Sequence, residues 1–147
     1  MLESAGITFT IHEYDISDGA ISGAAVASKI GVDPERVFKT LVTEGKNTGI
    51  NVFVIPCNTQ LDLRKAAHAA GDKSIEMIKS RELEPKTGYV HGGCSPIGMK
   101  KQYPTHIDET AELYDAICVS GGRIGLQIEI APADLTKMTG SVLCDLF

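Results

Sequence analysis

The stretch Val37-Phe38-Lys39-Thr40-Leu41-Val42 is an apolar run with a lysine near its centre. Such a run favours a β-strand, in which successive side chains point to opposite faces. Lys39 therefore lies on the face opposite Thr40. On a buried face the Lys39 ammonium loses water and needs a dedicated partner, which would make it a functional lysine. On an exposed edge it would only discourage pairing with other strands. Periodicity alone leaves both interpretations open.

The composition is that of one ordinary globular domain. The chain has 147 residues, 43% of them hydrophobic and 22% charged, with a net charge of −5. This length supports a real core, so residues 1–147 are expected to form a single domain. No segment approaches the roughly 20 apolar residues of a membrane span, and no signal peptide pattern is present, so a cytoplasmic location without a membrane partner is expected. The negative charge argues against a protein that coats nucleic acid nonspecifically.

Strand and helix patterns alternate irregularly on both sides of the Lys39 stretch. An alternating run from Ile7 to Tyr14 precedes it, and a turn at 45–49 leads into a second apolar strand at 50–56, which predicts a hairpin. Further strands are expected at 74–78, 105–108, 116–119, 126–130 and 142–146. Helices are expected at 23–30, 61–70, 80–87 and 132–138, with one helical turn at 33–36, and Asp33 and Ser80 are expected as N-caps. Six or seven short strands without regular βαβ alternation indicate an α+β fold with a mixed sheet.

Two glycine-rich segments follow apolar runs. Residues 88–98 contain four glycines and one proline, and Ser120-Gly121-Gly122 interrupts a later strand. Glycine lets the backbone approach a ligand closely, so that N–H groups can bind an anion or stabilise an oxyanion. Neither segment has the pattern of a Walker A loop or a dinucleotide fingerprint. Tight turns without a ligand explain both segments equally well.

Other combinations of reactive residues are weaker candidates. His91 and Cys94 suggest a base and a nucleophile, but no third orienting group is visible, and a packed loop cysteine is the commoner outcome. The four cysteines are widely separated and are expected to be reduced thiols, and the four histidines lack zinc-site spacing, so neither a metal nor a cofactor is expected. Lys100, Lys101 and Arg123 could form a phosphate-contacting rim or an ordinary solvated surface.

Three blocks taken together resemble the YbaK/EbsC family. They are 38–41, 87–98 and 119–132, and each includes a segment described above: the Lys39 strand and the two glycine-rich segments. The chain is most similar to the YbaK-type deacylases, which hydrolyse cysteine misattached to proline tRNA. The resemblance covers nearly the whole chain and implies a mixed six-stranded barrel-like sheet surrounded by short helices. The implied function is trans-editing of mischarged Cys-tRNA(Pro).

The resemblance also assigns residues position by position. Lys39 matches the lysine that the family needs for activity, and Gly92 matches the first glycine of the loop, so both are expected to be catalytic. The implied substrate-binding residues are Tyr14, Thr40, Ser120, Gly93 and Gly121. Two departures bear on aminoacyl selectivity rather than on reaction class. Ser22 stands where some members have a phenylalanine, and His91 stands where an apolar residue is usual.

The implied reaction needs no protein nucleophile. Backbone N–H groups at Gly92 or the Lys39 ammonium can stabilise the ester oxygen, while the resemblance implies that the substrate thiol attacks its own carbonyl and leaves as a thiolactone. The implied partners are aminoacylated proline tRNA and prolyl-tRNA synthetase. Two alternatives stay open: a deacylase for another small aminoacyl-tRNA such as Ala-tRNA(Pro), and a noncatalytic module that binds nucleotides or RNA ends.

Overall fold

The computed structural model describes residues 6–147 and has the Lys39 stretch as a strand in a mixed sheet. Its strands are β1 (Phe9–Glu13), β2 (Phe38–Gly45), β3 (Gly49–Pro56), β4 (Ile75–Met77), β5 (Thr105–Asp108), β6 (Ile117–Ser120), β7 (Leu126–Ile130) and β8 (Val142–Cys144). Its helices are α1 (Gly23–Ile30), α2 (Leu63–Ala70), α3 (Ser80–Thr87) and α4 (Pro132–Thr139), with 3-10 turns at Pro34–Arg36 and Glu109–Leu113. Within residues 6–147 no helix is long and apolar enough to cross a bilayer.

The strands form two sheets. The larger has the order β4-β2-β3-β5-β8, with β2 antiparallel to β4 and β3, and with β5 parallel to β3 and β8. The smaller is antiparallel in the order β1-β7-β6. A parallel bridge between Val37 and Cys118 joins them. The predicted α+β class and the β2–β3 hairpin are confirmed. The described residues contain eight strands, one at each segment expected to form a strand, so the predicted total of six or seven was too low.

β3 lies in the middle of the larger sheet and is buried on both faces. Val54 packs with Phe38 against the smaller sheet and α4. Phe53 and Ile55 point the other way and pack against Ala66 and other small residues of α2. Burial on both sides explains why the β3 sequence is apolar without alternation. The small α2 side chains let that helix lie close to the sheet.

The helix ends follow local capping chemistry. α1 and α2 end at the predicted residues 30 and 70, and each is followed by a glycine in the left-handed conformation, Gly31 and Gly71. α2 starts two residues later than predicted because Asp62 accepts hydrogen bonds from two backbone N–H groups of its first turn. Asp33 occupies the predicted N-cap position of the Pro34–Arg36 turn, whereas the prediction that Ser80 is an N-cap was wrong. Asp33 makes no side-chain capping bond, and Ser80 lies inside α3.

One buried histidine makes the core sensitive to pH. His106 on β5 is 8% exposed and stacks on Phe53 with ring centroids 4.9 Å apart. Its Nε2 lies 3.4 Å from Oδ1 of Asn51. Burial lowers the pKa of His106 below its ordinary value of 6.5, because the charged imidazolium would lose its hydration. The folded protein therefore holds this ring neutral at a pH where the unfolded chain already binds a proton.

We expect the free energy of unfolding to fall as the pH drops from 7.5 toward 5.5. The contribution of neutral His106 is fully present above the pKa of the unfolded ring and is lost as the pH falls toward the lower pKa of the folded one. Urea unfolding at a series of pH values measures this slope, and carboxylates titrate mostly below the window. His106→Gln should flatten the slope. A slope equal to that of the parent would contradict the assignment.

Candidate active site

A cavity of about 230 Å³ opens where the two sheets meet. Its walls come from the first half of β2, the start of α1, the ends of β6 and β7, and the loop at 88–98. The lining residues are Tyr14, Ile21, Ser22, Gly23, Val26, Val37, Phe38, Lys39, Thr40, Leu41, Cys57, Leu83, His91, Gly92, Cys94, Ser120 and Gln127. This lining contains no aspartate or glutamate. Lys39 is the one lysine or arginine among the described residues that line the cavity, so the cavity favours a ligand group that carries negative charge or lone pairs.

β2 supplies Lys39 and Thr40. Lys39 is half-buried, and within residues 6–147 its ammonium has no carboxylate within 4.0 Å and no hydrogen-bond acceptor. This position in the cavity favours the functional interpretation of Lys39 over the exposed-edge one. Thr40 adds a buried hydroxyl oxygen that has no hydrogen-bond partner among residues 6–147. Both side chains are thus available to a bound molecule.

The smaller sheet supplies Ser120 and Gln127, which face each other in register on β6 and β7. Ser120 is 8% exposed, and its Oγ accepts a hydrogen bond from the N–H of Gly122 at 3.2 Å. Gln127 is 6% exposed, and its buried Oε1 has no partner in the described part of the chain. Buried polar atoms are nearly always paired, so two unpaired acceptors, Thr40 Oγ1 and Gln127 Oε1, mark a place where ligand donors fit.

Gln127 was not among the site residues predicted from the sequence. Its position between Leu126 and Ile128 in an alternating strand already placed it on the polar face. That face covers the cavity only because β7 lies between β1 and β6 and pairs Gln127 with Ser120. The pairing is a property of the tertiary structure, which the strand pattern by itself does not reveal.

The two glycine-rich segments pack against each other, and one glycine from them reaches the cavity. Gly92 has φ +86°, lines the cavity, and within residues 6–147 its N–H donates to no protein group. A Cβ at Gly93 would lie 2.9 Å from the backbone N of Ile124, so the loops touch backbone to backbone. The N–H groups of Gly93 and Gly121 donate within their own loops, and neither residue lines the cavity. Their geometry indicates close packing.

Tyr14, Ser22 and His91 complete the wall. Tyr14 follows β1, and its backbone N–H donates to the Gly125 carbonyl at 3.0 Å. Ser22 is the N-cap of α1, and its Oγ accepts from the N–H of Ala25 at 3.2 Å. His91 is exposed at the rim. Among the residues predicted for the site, Tyr14, Lys39, Thr40, Gly92 and Ser120 thus line one cavity.

Two cysteines line the cavity without the electrostatics of a nucleophile. Burial raises the pKa of Cys94 to about 11. Burial also raises the pKa of Cys57, and the opposing effect of the Lys39 charge is smaller. The Cys57 thiol donates to the Pro34 carbonyl at 3.3 Å. Because the reactive species is the thiolate, the geometry does not support His91 and Cys94 as a base and a nucleophile.

We expect Cys94 to be nearly inert to alkylation in the folded protein at pH 8. With a pKa of about 11, about one thiol in a thousand is ionised, against roughly a quarter for an unperturbed cysteine. Iodoacetamide labelling followed by peptide mass spectrometry should show at least a ~100-fold slower reaction of Cys94 in the folded chain than in urea. Native labelling at the unfolded rate would instead identify an accessible, activated thiol.

Comparisons with known proteins agree on one family. A family model described as "Aminoacyl-tRNA editing domain" matches residues 19–138. The chain is 45% identical over 146 residues to the "Putative Cys-tRNA(Pro)/Cys-tRNA(Cys) deacylase EbsC" of Enterococcus faecalis, covering 99% of this chain and 89% of that one. A segment of the proline-tRNA ligase of Shouchella clausii is 26% identical over 99 residues, which is 67% of this chain and 17% of the ligase. A crystal structure described as "a putative trans-editing enzyme for prolyl tRNA synthetase" has a TM-score of 0.88 and 25% identity, covering 99% of this chain and 90% of that one.

Proposed function

The chain belongs to the aminoacyl-tRNA editing domain family, also known as the YbaK family, and we propose that it is a trans-editing deacylase acting on Cys-tRNA(Pro). The observation that carries this proposal is the set of unpaired polar groups in one small cavity: the Lys39 ammonium and the buried oxygens of Thr40 and Gln127. A volume of about 230 Å³ suits a small aminoacyl group. The 45% identity to EbsC supports the cysteinyl substrate.

Lys39 and Gly92 are placed to act on the ester. Cleavage of an aminoacyl ester builds negative charge on the carbonyl oxygen, and preorganised donors stabilise that charge. The Lys39 ammonium and the free N–H of Gly92 both belong to the cavity, and neither is engaged by another group within residues 6–147. In this assignment the two donors bind the ester oxygens, while Ser120 orients the amino acid beside them.

Thr40 and Gln127 are placed to hold the amino group of the substrate. An α-ammonium is a donor with three N–H bonds and no acceptor capacity, so it needs oxygens facing it. The unpaired Oγ1 of Thr40 and Oε1 of Gln127 supply two. Tyr14 and Ser22 line the same cavity and limit the room for the side chain. The ammonium and the ester are thus held at separate points, which fixes the orientation of the aminoacyl group.

The cysteinyl side chain itself supplies the nucleophile. Its sulfur attacks the carbonyl carbon and forms a C–S bond, the C–O bond to the tRNA ribose breaks, and the thiol proton passes to the departing ribose oxygen. The products are a cyclic thiolactone and uncharged tRNA. Cys57 and Cys94 have no role in this scheme, in keeping with their raised pKa values. The protein contributes orientation and charge stabilisation.

Prolyl-tRNA synthetase is the proposed partner that presents the tRNA. The net charge of −5 gives this chain little attraction for the phosphate backbone. The matching segment in a proline-tRNA ligase is consistent with an editing activity associated with that enzyme. Affinity of the isolated chain for tRNA is therefore weak and falls with salt.

Lys39→Ala should lower the single-turnover rate of Cys-tRNA(Pro) deacylation by about 100-fold, because one oxyanion donor is typically worth this much. The control is Lys65→Met, since Lys65 pairs with Asp145 away from the cavity. Ala-tRNA(Pro) and Pro-tRNA(Pro) should be assayed alongside. A folded Lys39→Ala protein with the parental rate would refute the assignment. Faster cleavage of Ala-tRNA(Pro) than of Cys-tRNA(Pro) would identify alanine as the amino acid that is removed. RNA binding without cleavage of any ester would indicate a noncatalytic binding module.

Gln127→Leu should weaken substrate binding without weakening the fold. Loss of a hydrogen bond to a charged group costs about 1.5–3 kcal/mol, which predicts an increase in KM of about 10-fold or more. Gln127→Glu keeps the acceptor and should retain the parental KM. Because the amide oxygen is unpaired and buried in the free protein, its removal should leave the urea midpoint unchanged or higher. A parental KM together with a lowered midpoint would indicate a structural glutamine instead.

A further inference from the structure

The segment of residues 15–21, here called the strap, forms part of the cavity wall. It connects Tyr14 at the end of β1 to Ser22 at the start of α1, and both of these residues line the cavity. Ile21, within the strap, lines the cavity as well. A Cβ at Gly92 would lie 3.5 Å from the Ile21 side chain, so the strap reaches the glycine loop on the opposite side. The position of the strap therefore affects the width of the cavity.

One lysine holds the strap in place. The Lys29 ammonium on α1 donates to the Asp15 carbonyl at 2.6 Å, to Oδ1 of Asp18 at 2.8 Å and to the Ala20 carbonyl at 2.9 Å. These three bonds use all the donors of an ammonium group. The Lys29 side chain is 20% exposed, and its nitrogen lies 6.0 Å from the centroid of the Tyr14 ring. It is thus both shielded and fully hydrogen-bonded.

The strap has few other attachments. Within residues 6–147, every hydrogen bond between the strap and a residue outside it comes from Lys29. Its remaining bonds are internal turns, in which Ser17 and Ala20 donate to aspartates of the strap itself. Most strap residues are exposed, so little apolar burial holds the segment down. Segments with few buried contacts open at a low free-energy cost unless a specific tie prevents it.

We propose that Lys29 is a positioning residue that fixes the strap and thereby sets the size of the aminoacyl group that the cavity accepts. The proposal rests on the deacylase function proposed above, because the cavity is its active site. A small pocket distinguishes side chains that differ by one or two carbon atoms through its fixed dimensions. A wall that moves allows the larger side chain to fit. Without the Lys29 ammonium, the carbonyls of Asp15 and Ala20 lose their protein donor, and the wall from Tyr14 to Ser22 loosens.

The experiment measures two constants for the parent, Lys29→Met, Lys29→Arg and Lys65→Met: the KM of Cys-tRNA(Pro) for deacylation, and the inhibition constant Ki of Pro-tRNA(Pro), which has no thiol and acts as a competitor. We expect Lys29→Met to reduce the ratio of Ki to KM by about 10-fold or more, since a loosened wall admits the larger proline ring. Lys29→Arg keeps the charge and several donors and should reduce the ratio less. Lys65→Met, a matched loss of a salt-bridged lysine, should leave it unchanged. Partial unfolding would lower the active fraction of the enzyme and leave both constants, and hence their ratio, unchanged.

Millisecond hydrogen exchange provides a second measurement that needs no substrate. In Lys29→Met the backbone amides of Ser17, Gly19 and Ala20 should exchange faster, while those of β3 keep the parental rate. A parental ratio in an active Lys29→Met enzyme would overturn the positioning role and leave the deacylase function intact. If the parent cleaves no aminoacyl ester, the proposed function fails. In that case, parental hydrogen-exchange rates of the strap amides in Lys29→Met would overturn the strap proposal as well.

Discussion

The bridge between Val37 and Cys118 is the backbone contact on which the cavity depends. Val37 is 3% exposed and Cys118 is fully buried, and the carbonyl of Val37 also accepts a hydrogen bond from the N–H of Cys57 at 2.7 Å. This contact sets the start of β2 beside β6. Lys39 and Ser120 each lie two residues beyond it, on different sheets. A strand register shifted by one residue would turn these side chains to the wrong face.

Among the described residues, the buried polar atoms without hydrogen-bond partners belong to side chains that line the cavity. An unpaired buried acceptor costs about 1–3 kcal/mol, and Thr40 and Gln127 each contribute one such atom. Elsewhere in the core, Thr43 and Asp108 have their polar atoms bonded to neighbouring groups. In the described part of the chain the other buried side-chain oxygens and nitrogens have partners, and the two unpaired ones belong to residues that line the cavity with Lys39, which is the pattern expected of a ligand-binding site. This contrast within one molecule supports a site more strongly than the shape of the cavity does.

The sequence predicts most of this architecture because its strongest signals are local. Apolar alternation and capping glycines located nearly all the strands and helices, and the three motif blocks led to Lys39, Gly92 and Ser120. The errors were of two kinds. Ser80 has the composition of an N-cap but is the first residue of α3, and Asp33 holds an N-cap position without making a side-chain capping bond. Gln127 and Lys29 act through residues distant in sequence, and no local pattern distinguishes a polar strand residue over a cavity from one in solvent.

Two lysines near the cavity show how the same side chain serves opposite purposes. The Lys29 ammonium donates to three acceptors within 2.9 Å, so all its N–H groups are bonded to the protein itself. Lys39 has none within residues 6–147, so its charge is available to a ligand. Because the two ammonium groups share no partner, the proposed mechanism assigns the shape of the wall and the electrostatics of the reaction to separate residues. If Lys39 stabilises the ester oxygen as proposed, aminoacyl selectivity can change through the strap while Lys39 stays in place.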